Sequence, residues 1–404
     1  MADRSGVERE RQKEEYAGRR RSFRRLAEAS GLDGLVVSNA SDIRYLCGFS
    51  GSSGVALLLP RSGYLLTDFR YREQSSQEVV GLRTVICEGF GEALRDILQR
   101  AERPTPTGAT TPKGESGGAK KAASRGSSLS PSRRRWPWRI GFDPRTLTCA
   151  ELGDLRRSLR DLAHLIPLKE GFQRLRAVKS PAELRVMREG LRIAESAFRE
   201  VLRGLNGRAT ERELALELDF ASRRRGAEAT SFETIVAAGS RGALVHAKPS
   251  NHCLAGAVVV DWGVVHRGYC TDCTRTLAWG RVAAELRAVH RLVLEAQERA
   301  VETIRPGVRA SEVDRAAREV LERAGYGSAF GHGLGHGVGM EVHERPVISP
   351  RSREVLEEGM VFTVEPGVYL PGRGGVRVED MVVVTAQGAE VLTTLPRSMD
   401  PSDY

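Results

Sequence analysis

The chain has 404 residues, 40% hydrophobic and 28% charged, an ordinary globular composition with room for two or three domains. No stretch reaches the roughly 18–20 uninterrupted apolar residues of a spanning helix, and the charged N-terminus lacks a signal-like apolar run. The six cysteines are scattered and the net charge is +10, of which residues 103–139 supply nine Lys or Arg against one Glu. The cysteines fit reduced thiols in a cytoplasmic protein with no membrane partner. The local charge fits a solvated insert better than a nucleic-acid surface.

In chain order, residues 1–20 read as a charged tail. Residues 21–165 read as a small α/β domain. It has a helix over 21–29, a strand at 34–38, the stretch Ile43-Arg44-Tyr45-Leu46 and a Gly/Ser loop at 48–54. Strands follow at 55–59, 64–67 and 138–142, with a helix near 149–163. Alternation of this kind predicts a mixed sheet under helical cover. Residues 102–135 are rich in Pro, Gly, Ser, Thr and Ala, with almost no large apolar side chain. They cannot offset the entropy of ordering, which predicts a disordered basic insert.

A second domain is predicted over 166–397. Ser180-Pro181-Ala182-Glu183 is a capping box with proline at the first helical position. Leu184, Met187, Leu191, Ala194, Phe198 and Leu202 follow at helical spacing, and Thr210 with Glu213 opens a shorter helix. Arg208-Ala209-Thr210-Glu211 recurs as Arg309-Ala310-Ser311-Glu312. Each copy follows a long amphipathic helix (181–204 and 283–305) and opens a shorter one (210–225 and 311–324). Gly-rich, strand-like sequence comes after each. The matching order predicts an α+β fold built on a duplicated helix–helix–sheet unit, with a ligand cleft between halves related by a pseudo-two-fold axis.

Five residues stand out chemically. Asp261 ends the apolar run Val258-Val259-Val260, where a carboxylate is costly. A two-residue turn at His266-Arg267 sets Asp261 opposite Asp272; a turn one residue along leaves them diagonal neighbours on one face. Two buried carboxylates so close share a proton or bind a cation, and two exposed hairpin acids are the bland alternative. His332, His336 and His343 are three of only eight histidines and fall within twelve positions. Alternating glycines argue against a helix there and for an extended segment open to close approach. Glu365 precedes Pro366, which favours extended backbone. Glu379 ends the strand Val376-Arg377-Val378-Glu379, which runs on into 381–384. For either glutamate the bland alternative is a surface position or a pair with Arg377. Four carboxylates and one imidazole suit Mn²⁺ first, with Co²⁺, Fe²⁺ or Zn²⁺ as alternatives. Two bridging carboxylates would hold two divalent ions about 3.5–4 Å apart.

Several ordered motifs then carry a family resemblance. Val260-Asp261-Trp262-Gly263, the stretch 269–276, His332-Gly333-Leu334-Gly335-His336, Val342-His343-Glu344, 363–367 and 376–380 resemble the pita-bread metallopeptidases. Within these the likeness is to Xaa-Pro aminopeptidases and Xaa-Pro dipeptidases (prolidases). Residues 235–239, Leu244-Val245-His246 and the entry stretch 174–183 extend it, and 42–51 resembles the creatinase-type N-terminal domain. The resemblance implies a pita-bread catalytic domain preceded by a smaller creatinase-like α/β domain. It implies hydrolysis of the N-terminal Xaa–Pro bond of proline-containing peptides, in a homodimer or homotetramer.

The resemblance also implies residue roles. The ligands would be Asp261, Asp272, His336, Glu365 and Glu379, with Asp272 and Glu379 bridging. Glu365 would orient or deprotonate the water, and His246 and His343 would lie by the substrate. His332 and Arg377 would bind substrate or support the ligands, with Tyr369 in the pocket. Methionyl aminopeptidases share the ligand chemistry but usually lack the large N-terminal domain. Creatine-type hydrolases have lost the ligands, and non-catalytic pita-bread binding modules have dead sites. Trp262 stands where phenylalanine is usual. Cys270 and Cys273 flank Asp272, on a strand that would point them to opposite faces, which disfavours a shared ion.

Overall fold

A computed structural model describes residues 2–101, 137–205 and 207–404, with side chains from Glu10 onward. The basic insert expected over 102–135 lies outside the described residues. The chain divides into two units, Met1–Gly171 and Phe172–Tyr404.

The first unit opens with α1 (Ala2–Ala29), followed by β1 (Gly34–Val37), α2 (Ala40–Cys47), β2 (Val55–Leu58), β3 (Gly63–Thr67) and α3 (Arg72–Glu78). Then come β4 (Arg83–Ile86), α4 (Phe90–Arg100), β5 (Trp138–Phe142), α5 (Cys149–Leu159) and β6 (Ala163–Pro167). The opening helix begins at Ala2, not at Arg21, so the charged stretch is helical. Glu15 and Arg19 pair one turn apart, and Arg19 and Arg20 donate to carbonyls of Tyr45, Leu46 and Val80. Residues 43–46 lie in α2, which Asn39 caps by accepting from the Asp42 amide. The strands form one mixed sheet in the order β4-β3-β2-β1-β5-β6. Val36, Leu57, Leu66 and Ile140 on it pack with Leu94, Leu98, Leu155 and Leu159 of the helices.

The second unit begins with α6 (Gln173–Ala177), α7 (Pro181–Gly204), α8 (Glu211–Arg224), β7 (Ala229–Thr230), β8 (Ile235–Ala238) and β9 (Gly256–Trp262). β10 (Val264–His266), β11 (Tyr269–Cys270), β12 (Cys273–Trp279), α9 (Ala284–Thr303) and α10 (Ala310–Arg323) follow. It ends with β13 (Gly335–Gly337), β14 (Glu344–Ile348), β15 (Val361–Val364), β16 (Gly367–Leu370), β17 (Gly374–Arg377), β18 (Asp380–Thr385) and β19 (Gly388–Val391). Both expected capping boxes form, Ser180 with Glu183 and Thr210 with Glu213.

The duplication is visible in packing. Phe198, Leu214 and Leu218 of α7 and α8 cover Val258, Val260 and Trp262 of the sheet β12-β9-β8. Val289, Val293, Val313 and Ala317 of α9 and α10 cover Phe362, Val364 and Val382 of the sheet β14-β13-β15-β18-β19. The equivalent helix caps are Thr210 and Arg309, each in an isolated antiparallel bridge to a later segment. The match of Thr210 to Ser311 is therefore two residues out of step, although the repeat itself is present. Trp262 stacks on Phe198 at 4.1 Å and donates to the Ala194 carbonyl at 3.3 Å, which seats the larger ring. No helix among the described residues is long and apolar enough to cross a membrane.

Candidate active site

The first two acids are placed by a hairpin. Its turn residues are Arg267 and Gly268, with φ of 48° and 82°, one residue beyond the turn expected at His266-Arg267. A tight two-residue turn with positive φ at both central positions favours glycine at one of them. The register then pairs Asp261 with Thr274. Asp272 becomes the diagonal neighbour of Asp261 on the same face.

Glu379 arrives differently from expectation. The stretch 376–384 is two strands, β17 and β18, in different sheets, and Glu379 sits at the break. It is 2% exposed and accepts from Thr274 Oγ1 at 2.7 Å. Arg377 is paired with Asp261 instead, Nη2 to Oδ2 at 2.6 Å. Glu365 follows β15 and accepts from Thr363 Oγ1 at 3.2 Å.

His336 lies in the middle of β13, extended as the glycines predicted. A Cβ on Gly335 would fall 1.9 Å from the Thr363 carbonyl, so only glycine lets the strands close around this imidazole. His336 Nδ1 lies 3.1 Å from the Gly337 carbonyl, which can only accept. The proton is therefore on Nδ1, and the Nε2 lone pair faces Asp272 Oδ2 at 3.6 Å and Glu365 Oε1 at 3.5 Å.

The electrostatics are those of a site short of positive charge. Asp272, His336 and Glu379 each offer a ligand atom within 4.8 Å of the others. Burial, then the neighbouring acids, push Asp272 and Glu379 well above the carboxylate range. Burial lifts Glu365 to about 7 against the pull of Arg377. Burial also lowers His336 to about 4, so this imidazole is neutral. Asp261 Oδ1 is buried with no hydrogen-bond partner. Four crowded carboxylates, an orphaned oxygen and a neutral imidazole are a donor set that a divalent cation fits. Cys270 and Cys273 stand outside it, their sulfurs near the Met340 and Glu379 carbonyls.

A cavity of about 970 Å³ opens over this cluster, and every residue put forward from the sequence lines it. His343 lies against His336, ring centroids 4.2 Å apart, and burial lowers it, with His246 adding to the effect. His332 donates from Nδ1 to the Gly333 carbonyl at 2.7 Å, so its Nε2 accepts from Tyr369 OH at 3.0 Å. That hydroxyl accepts in turn from Arg377 Nη1 at 2.9 Å. Sequence reasoning missed Thr274 and Thr363, whose hydroxyls hold Glu379 and Glu365. Each lies two residues from an acid of the cluster on a strand-like stretch, which was the available signal. It also missed the walls Phe232, Glu233 and Lys248.

Residues 185–386 match the family described as Metallopeptidase family M24, and residues 19–178 match the Creatinase/Prolidase N-terminal domain. The chain is 35% identical to the Bacillus subtilis protein named uncharacterized peptidase YqhT, over 93% of this chain and 98% of that one. Among solved structures it resembles a Bacillus anthracis Xaa-Pro dipeptidase, with TM-score 0.83 and 33% identity over 95% of this chain and 99% of that one. It also resembles a Thermotoga maritima X-Pro aminopeptidase, with TM-score 0.77 and 34% identity over 92% and 99%.

Proposed function

This chain belongs to metallopeptidase family M24, and we propose that it hydrolyses the N-terminal Xaa–Pro bond of peptides or Xaa–Pro dipeptides with two divalent ions, Mn²⁺ first. The observation that carries this reading is the bare Nε2 of His336 facing Asp272 and Glu365 in a buried cluster of acids. Asp261, Asp272, His336, Glu365 and Glu379 would hold the ions, and Asp272, His336 and Glu379 already offer ligand atoms within 4.8 Å of one another. The orphaned Oδ1 of Asp261 is an acceptor such a cation would satisfy. Bound divalent ions lower the pKa of a coordinated water towards neutrality and polarise a carbonyl.

The remaining steps belong to the protein's own groups. Glu365, whose Oε1 lies 3.5 Å from His336 Nε2, would orient the attacking water and take its proton. His343 and His246 stand by the scissile carbonyl and leaving nitrogen, where charge develops. The His332–Tyr369–Arg377 chain holds the substrate backbone and keeps Asp261 in place. A prolyl nitrogen carries no N–H, and the apolar walls Phe232, Val342 and Val347 give its ring a surface to pack on. We take the working form to be a cytoplasmic dimer or tetramer, which light scattering would check.

The test is release of the first residue from Ala-Pro and Ala-Pro-Ala, with Mn²⁺ and then with chelator. Metal-dependent cleavage of both means an aminopeptidase, and of Ala-Pro alone a dipeptidase. Cleavage of neither by the metal-loaded chain would overturn the substrate assignment.

A further inference from the structure

Arg275 lies outside the cavity lining and its side chain is 0% exposed, yet it binds the acidic cluster from behind. Its Nη1 donates to the backbone carbonyls of Glu379 at 2.6 Å and Thr274 at 2.9 Å. Nη2 donates to Asp380 Oδ1 at 2.7 Å and the Leu395 carbonyl at 2.9 Å, and Nε to the Pro396 carbonyl at 2.6 Å. Asp380 Oδ2 is held in turn by Gln297 Nε2 at 3.1 Å and Arg397 Nε at 2.7 Å.

A buried ion pair is a weak way to gain stability, because desolvation consumes most of the attraction. A planar, pre-organised fork is instead a good way to fix several acceptors at set angles. The acceptors here are telling. Glu379 sits where the chain leaves one sheet for another, so a strand ladder does not hold it on both sides. Arg275 fixes its carbonyl, and it also fixes the carbonyl of Thr274, whose hydroxyl donates to the Glu379 carboxylate. One guanidinium thus sets both the backbone that carries the acid and the donor that orients it. The carbonyls of Leu395 and Pro396 lock that guanidinium, and Tyr404 OH donates to the Pro396 and Ser398 carbonyls to close the C-terminal segment.

We propose that Arg275 is a positioning residue for metal binding: braced by Asp380 and the C-terminal segment, it holds Glu379 within ligand reach of Asp272 and His336. This rests on the reading of Glu379 as a ligand. Replacing the fork by a single ammonium keeps a positive charge but cannot reach the Glu379 and Thr274 carbonyls while also being braced on Asp380, Leu395 and Pro396, which three separate guanidinium nitrogens share out here.

The experiment is a calorimetric Mn²⁺ titration of the full-length, metal-stripped chain, parent and Arg275→Lys, with kcat and KM measured alongside. Glu195→Gln serves as control, because Glu195 anchors the same C-terminal segment through Thr394 without touching Glu379. Arg275→Lys is expected to bind Mn²⁺ at least tenfold more weakly, with kcat reduced and KM within twofold. Glu195→Gln is expected to bind within twofold of the parent. Parent-like affinity in Arg275→Lys, or equal losses in both variants, would overturn the proposal. Should Arg275→Lys not fold, Asp380→Asn leaves the fork present but unbraced. A tenfold loss there supports the proposal and parent-like affinity overturns it. A parent chain that binds no Mn²⁺ would sink the ligand reading itself, and this proposal with it.

Discussion

Arg377 and Asp261 are joined Nη2 to Oδ2 at 2.6 Å, and the bond leaves the second oxygen of Asp261 buried and unpartnered. The same guanidinium donates to Thr274 Oγ1 at 3.0 Å and Tyr369 OH at 2.9 Å, so it ties an acid of the cluster to the wall of the cavity. Arg377→Lys keeps the charge and loses this fork. Charge-assisted bonds of this kind are worth about 2 kcal/mol. The expected result is a fall of roughly 30-fold in kcat/KM on Ala-Pro-Ala at saturating Mn²⁺, at about 1.36 kcal/mol per decade of rate. Steady-state kinetics with metal content measured on the same sample checks it.

His336→Ala and Glu365→Ala should each abolish metal-dependent turnover. His336 supplies the imidazole of the cluster, and Glu365 lies 3.5 Å from its Nε2. Full activity in either variant, assayed with Mn²⁺ and with chelator, would remove the five-residue assignment.

Metal uptake should release protons. Burial and the neighbouring acids raise Asp272 and Glu379, and burial holds Glu365 at about 7, so the ion-free cluster retains protons at about pH 6. Ions take the deprotonated carboxylates, so apparent affinity rises as pH goes from about 5 to about 7. His336, lowered to about 4, is already neutral across that window and adds nothing to the slope. Titration in buffers of differing ionisation enthalpy measures the release. A value of zero near pH 6 would contradict the raised carboxylates.

Trp262→Phe should keep the stacking on Phe198 and lose the indole bond to the Ala194 carbonyl. The cost is about 1 kcal/mol of stability, read from urea unfolding, with kcat/KM within twofold of the parent.

The legible parts of the site share a property: each was written in neighbouring residues. Val258-Val259-Val260-Asp261 announces a buried acid, the alternating glycines announce an extended His336, and Ser180 to Glu183 announces a helix start. The turn slipped by one residue because the choice between His266-Arg267 and Arg267-Gly268 depends on which pair tolerates positive φ. The repeat is legible in Arg-Ala-Thr-Glu and Arg-Ala-Ser-Glu, but the cap at 309 is an arginine without a side-chain capping bond, so its local signal is weak.

By itself the sequence determined the α+β class, the duplicated unit and the set of chemically distinctive residues, because periodicity, caps and acids in apolar strands are local and physically costly to place at random. Only the tertiary structure decided who partners whom. Arg377 serves Asp261 and not Glu379, Thr274 and Thr363 hold the acids, and Arg275 grips Glu379 across 104 positions of chain. Those choices follow from strand register and from the break between β17 and β18. Both are set by how sheets pack, and no stretch of neighbouring residues encodes them.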